Sequence, residues 1–137
     1  MKRACCLYIV PVKNYFNETE RELLSQKGIC YSFAAQQGWS IAKEFTGIDK
    51  IGKYALYDIK TNIREAANNN EFDVLLLSSY KLVEKCDITP FLIEWLINKG
   101  IEVWCVVEGK QSIGDQVNNL INFIRCWQTD MPGEVKL

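Results

Sequence analysis

The chain has 137 residues, 48% of them hydrophobic and 12% aromatic, enough for one domain that builds its own core without staples. Sixteen basic residues against seventeen acidic ones leave a net charge of −1, far from the basic balance of an autonomous nucleic-acid binder. No apolar run approaches the ~20 residues of a membrane span, and Met1-Lys2-Arg3 ahead of Ala4–Val10 lacks the small-residue cleavage site of an export signal.

Four strand-like segments alternate with four helix-like ones, a pattern that calls for a mostly parallel sheet covered on both faces. Ala4–Val10 reads as a buried first strand. A helix follows over Glu18–Gln37, with Leu23, Cys30, Phe33 and Ala34 near one face and Gly38 as its stop. Trp39–Phe45 gives a second strand, and Thr46–Gly52, with two glycines, reads as a loop. Leu56, Ile59, Ile63, Ala66 and Ala67 recur at helical spacing up to the break at Asn68-Asn69-Asn70. Phe72–Leu77 has the composition of a central strand.

Asp87 or Thr89 can cap the next helix, Pro90 suits its first turn, and Ile88, Phe91, Leu92, Trp95 and Leu96 form its core stripe. Asn98-Lys99-Gly100 ends it, and Ile101–Val107 supplies a further strand. Val117, Leu120, Ile121, Ile124 and Trp127 mark a last helix before a frayed tail at Met131–Leu137. The expected fold is a three-layer α/β/α domain over residues 1–130, around a mostly parallel sheet of four to five strands.

The chemistry-bearing residues are few. Cys5, Cys6, Cys30, Cys86, Cys105 and Cys126 show no C-x-x-C spacing, and there is no histidine, so neither a metal site nor another cofactor is expected. The cysteines read as small core hydrophobes of a protein in the reducing cytoplasm. Lys43, Lys50, Lys53 and Lys60 are interleaved with Glu44, Asp49 and Asp58, the pattern of a mixed-charge solvated face.

The order of small motifs resembles the catalytic domain of serine recombinases, the resolvase/invertase family. Tyr8 opens a stretch that in the family reads Tyr-x-Arg-Val-Ser. Gln26, Ala34 and Gly38-Trp39 are similar to its first helix and second strand, Phe72–Leu77 to its third strand, and Gly100–Val103 to its fourth. The resemblance implies a serine that attacks a DNA phosphodiester and arginines that stabilise the developing charge.

Those residue types are missing at the matching positions. The nucleophile position is Val12 and the arginine before it is Val10. A loop Asp and Ser fall at about Gly47 and Ile51, and the arginine opening the next helix is Tyr57. The family's Asp-Arg-Leu-Ser-Arg segment becomes Tyr80-Lys81-Leu82-Val83-Glu84, with Glu84 in place of a phosphate-binding arginine. Losing one such donor costs about 3 kcal/mol of transition-state stabilisation, and losing the nucleophile is decisive.

Tyr8, Gln26 and Asp73 survive from the family's pattern. Each also has a purely structural reading: Tyr8 packs, Gln26 sits on a helix surface, and Asp73 bounds a strand. Together with Ser78, Ser79 and Lys81 beyond the third strand, they form the candidate remnant of a phosphate or ligand site. The chain stops soon after Trp127, so no attached DNA-binding domain is expected.

The leading expectation is a catalytically inactive recombinase-like domain acting through contacts with itself or with an active recombinase. Tyr15, Phe16, Tyr54, Tyr57 and Tyr80 are its candidate exposed aromatic surface. The alternative is DNA or nucleotide phosphate binding without cleavage, which the acidic balance supports only weakly. An enzyme with relocated chemistry, through Ser79 with Lys81 or Cys6 with a carboxylate, lacks a histidine base. No membrane partner is expected. A phospho-receiver domain shares the alternation, but Pro11-Val12-Lys13 and Ser78-Ser79-Tyr80 stand where its acidic residues belong.

Overall fold

The computed structural model describes residues 1–11, 16–49, 57–82, 90–112, 114 and 121. In chain order these are β1 (Arg3–Pro11), α1 (Phe16–Gln37), β2 (Ser40–Asp49), α2 (Tyr57–Asn68), β3 (Val74–Leu77), α3 (Pro90–Asn98), β4 (Glu102–Cys105) and β5 (Gly109–Lys110). The sheet runs β2-β1-β3-β4-β5. Its first four strands are parallel, and β5 turns back antiparallel on β4. The α/β fold with a five-stranded, mostly parallel sheet is as expected.

Alternation along β1 divides its side chains between two layers. Cys5, Leu7 and Ile9 meet Ile59, Ile63, Ala66 and Ala67 of α2 and Leu92, Ile93 and Leu96 of α3. Cys6 and Tyr8 point the other way, toward Cys30 and Ala34 of α1. At the end of α1, Phe33, Trp39 and Trp104 stack mutually with centroids 5.6–5.8 Å apart, which ties the helix to both β2 and β4. No helix among the described residues is long and apolar enough to cross a membrane.

The three helices described above end the same way. Trp39 N–H donates to the Ala34 carbonyl and Gly38 N–H to that of Ala35; Glu71 and Asn70 repeat the pattern on Ala66 and Ala67, and Ile101 and Gly100 repeat it on Leu96 and Ile97. This paired closure requires a left-handed residue just past the helix. Gly38 at φ 73°, Asn70 at 57° and Gly100 at 91° meet that demand.

Three boundaries differ from expectation. β2 does not stop at Phe45: Thr46, Gly47, Ile48 and Asp49 pair with Tyr8, Ile9, Val10 and Pro11, because β1 continues and offers them a hydrogen-bonding edge. The strand expected over Ile101–Val107 ends at Cys105, and the chain turns through Val106–Glu108, with Gly109 at φ 95°, into β5. The strand expected from Phe72 begins at Val74, although Phe72 is buried. The helix marked by Val117–Trp127, the tail at 131–137, and Asp87, Ile88 and Thr89 lie outside the described residues.

Ile63 is fully buried between α2 and the sheet. Ile63→Ala is expected to destabilise the fold by about 3 kcal/mol through lost burial and a residual cavity, read from the midpoint of urea unfolding at unchanged m-value.

Candidate functional site

In an open parallel sheet the ligand edge lies where strands end and loops leave. Here that edge is built from the ends of β1 and β3 and the β4–β5 turn. β1 outruns its neighbour: it pairs with β3 only through Ala4, Cys5 and Cys6. The Arg3 carbonyl accepts from Asp73 N–H on the β3 side, and alternation turns Cys5, Leu7 and Ile9 the same way. Ile9 therefore exposes a peptide N–H and C=O where β3 has run out.

Gln26, 2% exposed, fills that gap from α1. Its Oε1 accepts from Ile9 N–H at 3.0 Å and its Nε2 donates to the Ile9 carbonyl at 2.7 Å. Nε2 donates also to Glu22 Oε1 at 3.1 Å. The expectation that Gln26 sits on a helix surface is corrected: its carboxamide reproduces the donor and acceptor of a strand residue.

Tyr8 is fully buried beneath α1. Its hydroxyl donates to Glu44 Oε2 at 2.8 Å, and Tyr31 donates to the same oxygen at 2.7 Å. Burial first, then the Glu44 hydrogen bond, holds the Tyr8 phenol well above its ordinary range, so it stays neutral. Beside it Cys6 shares the buried cluster with Cys30, whose thiol is pushed up by its hydrogen bond to Cys6 and by burial. Burial also raises Cys5 and pushes Cys105 up to about 12. Cys6 is drawn the other way, its thiol lowered by the hydrogen bond with Cys30 against the cost of burial.

Beyond β3 the backbone turns at Ser78, which is buried. Ser79 Oγ accepts from Lys81 N–H at 3.2 Å and donates to Glu108 Oε1 at 2.7 Å. Tyr80 N–H donates to Glu108 Oε2 at 2.9 Å. Both carboxylate oxygens of Glu108 are thus engaged at the exit of β3. Through these bonds Ser79, Tyr80 and Glu108 close the turn that leaves β3.

Two expectations are corrected. Tyr80, expected as an exposed aromatic, is 5% exposed and packs into the α2–α3 core. Asp73 lies at the opposite edge of the sheet, where its Oδ2 accepts from Arg3 N–H at 2.8 Å and from Arg3 Nε at 3.2 Å, and its Oδ1 from Nη2 at 3.1 Å. It bounds β3 and stands apart from the other remnants. The arginine side chain, then its backbone N–H, holds the Asp73 carboxyl below its ordinary range.

Tyr8, Gln26 and Val10 do share the β1 exit, with Val10 1% exposed. Lys81 is exposed beside Ser79, and Tyr57 is the first residue of α2. Val12, Ile51, Glu84, Tyr15 and Tyr54 lie outside the described residues, and Phe16 is described only as the start of α1. No group of three metal-ligating side chains occurs among the described residues. Sequence reasoning finds Glu44 only as part of a mixed-charge solvated face and misses Glu108 altogether. The only local signal for Glu108 is its place before Gly109 in a turn.

No protein-family model and no curated protein matches this chain. Solved structures do. The N-terminal catalytic domain of TP901-1 integrase superposes with a TM-score of 0.64 at 15% identity, covering 94% of this chain and 98% of that one. A resolvase family site-specific recombinase from Streptococcus pneumoniae gives 0.64 at 14% identity over 93% and 91%. The C-terminal catalytic domain of ISC1926 TnpA, an IS607-like serine recombinase, gives 0.57 at 16% identity over 92% and 83%. The fold is that of serine recombinase catalytic domains.

Gln26→Ala strands two buried backbone groups of Ile9 and is expected to cost about 2–4 kcal/mol, with hydrogen exchange at the Ile9 amide accelerated. Asp73→Asn is expected to cost under about 1 kcal/mol, the pair being partly exposed. Because the folded carboxyl titrates below the unfolded one, wild type and Asp73→Asn differ fully above the unfolded value of about 3.9 and converge as pH falls through the lower folded one. Chemical denaturation across that range checks the sign.

Proposed function

We propose that this chain uses the serine recombinase fold without the strand-cleaving chemistry and acts through protein contacts, with a second copy of itself or with an active recombinase. The observation that carries the reading is the make-up of the strand edge. Where a phosphodiester would need a nucleophile and cations, the described residues offer a buried valine, Val10, a buried Tyr80, and a carboxylate, Glu108, held at the exit of β3. A carboxylate there repels a phosphate, and Val12 carries no nucleophilic atom.

The second reading, binding of DNA or a nucleotide phosphate without cleavage, draws on the exposed Lys81 beside Ser79. Among the described residues, one exposed cation on a turn that also holds the Glu108 carboxylate is a poor anion trap, so the contact reading stands ahead of it.

Incubation of the chain with supercoiled plasmid and with duplex DNA is expected to yield neither nicking nor a covalent protein–DNA link on denaturing gels. Val12→Ser alone is expected to leave that unchanged, since each missing cationic partner removes about two to three orders of magnitude in rate. Cleavage by the unmodified chain overturns the proposal. Binding to duplex DNA at near-physiological salt that weakens as salt rises moves the weight to the second reading.

A further inference from the structure

Among the described residues four cysteines are free and buried: Cys5, Cys6, Cys30 and Cys105. Alternation sends Cys5 to the α2–α3 side of the sheet, where Cys105 also lies. Those two stand on β1 and β4 with β3 between them, two strand spacings or ~9.5 Å apart across the sheet, beyond the reach of a disulfide. Cys6 faces the other layer, and there α1 brings Cys30 onto it.

The contact is set from both elements. Gln26, bonded to Ile9, fixes where α1 lies along β1, and Cys30 follows one helical turn later on the same side. The Cys30 thiol hydrogen-bonds to Cys6, and the Tyr8 hydroxyl is the other polar neighbour of that sulfur. Packing alone asks for neither sulfur: Ala34 and Leu76 fill the same layer without one. A disulfide of about 2.05 Å requires two sulfurs already in hydrogen-bond contact to close on each other.

We propose that Cys6 and Cys30 are an oxidisable pair, closed to a disulfide by a hydroperoxide, and that the bond locks α1 onto the sheet. With hydrogen peroxide the Cys6 thiolate attacks one oxygen and the O–O bond breaks. The departing hydroxide takes up the proton that Cys6 released, giving water and a sulfenic acid on Cys6. The Cys30 sulfur then attacks the Cys6 sulfur and the S–O bond breaks, the second hydroxide leaving with the Cys30 proton as water. Two thiols lose two electrons, and the peroxide becomes two waters. The order follows from the site, because the Cys30 hydrogen bond favours the thiolate on Cys6 while Cys30 itself stays protonated.

Burial makes the reaction conditional, since both sulfurs are fully covered. Gly28 lies in the turn of α1 between Gln26 and Cys30, and a mid-helix glycine weakens that turn relative to alanine. Peroxide enters when α1 lifts there, and the closed disulfide removes that motion. The helix is then held at two points, by the Gln26 carboxamide and by a covalent bond one turn away.

Peptide mapping of the folded, reduced whole chain after exposure to hydrogen peroxide tests this. The chain is expected to lose two hydrogen masses, and trypsin to release peptides 4–13 and 28–43 joined. Fragment spectra of the joined wild-type peptides are expected to place the bond on Cys6 rather than Cys5, and Cys6→Ala to abolish it. The oxidised chain is expected to melt about 10 °C above the reduced one, from closing a loop of about 25 residues. Amide exchange in α1 is expected to slow at least tenfold, and dithiothreitol to reverse both effects. Thiols that all remain open to alkylation, a bond from Cys30 to any other cysteine, or a bond that forms only in urea overturns the proposal. An oxidised chain that melts no higher than the reduced one overturns the locking of α1.

Discussion

β1 is nine residues long and β3 only four, and the molecule is organised around that mismatch. A central strand that outlasts one neighbour presents bare peptide groups to the interior, each costing about 1–3 kcal/mol if left unpaired. Gln26 removes the cost at Ile9 with a side-chain amide that stands in for the missing strand. Because one carboxamide fits one peptide unit, the bond also sets where α1 lies along β1. The rest of the α1 face follows: Cys30 and Ala34 lie one and two turns farther along the same side of the helix, against Cys6, Tyr8 and Leu76.

Among the described residues, the polar groups at this strand edge bond to the chain itself. At the β1 exit these are Gln26 and the backbone it caps. At the β3 exit they belong to Ser79, Tyr80 and the Glu108 carboxylate, which ties the β4–β5 turn back across the sheet edge. A shared fold fixes where a site can lie, and the residues placed there decide its chemistry.

What could be read from the residues alone follows from the range of the interactions involved. Gly38, Asn70 and Gly100 announce their helix ends because a left-handed residue is needed there and few types tolerate it. The burial of Ile59, Ile63, Ala66 and Ala67 follows from their spacing. The end of β2 could not be foreseen, since Thr46-Gly47 carries a local turn signal that pairing with Tyr8 and Ile9 overrides. Tyr80 looked like a loop aromatic because its cover comes from α2 and α3. Gln26 and Asp73 were picked out by family pattern, but only the strand lengths reveal that one caps the sheet interior and the other lies at its far edge. Glu108 reaches its partners across 28 residues of sequence, beyond any local pattern.

The Gln26 bond bears on the order in which the molecule assembles. Ile9 and Gln26 are 17 residues apart, whereas the nearest rung between β1 and β3 joins residues 70 apart. During synthesis the β1–α1–β2 segment leaves the ribosome first, and it already carries the group that satisfies the far end of β1 on its open side. The first 49 residues can thus hold a registered strand pair under a helix while β3 is still unmade. The later strand docks onto an edge whose exposed length has been trimmed to the four-residue strand it brings.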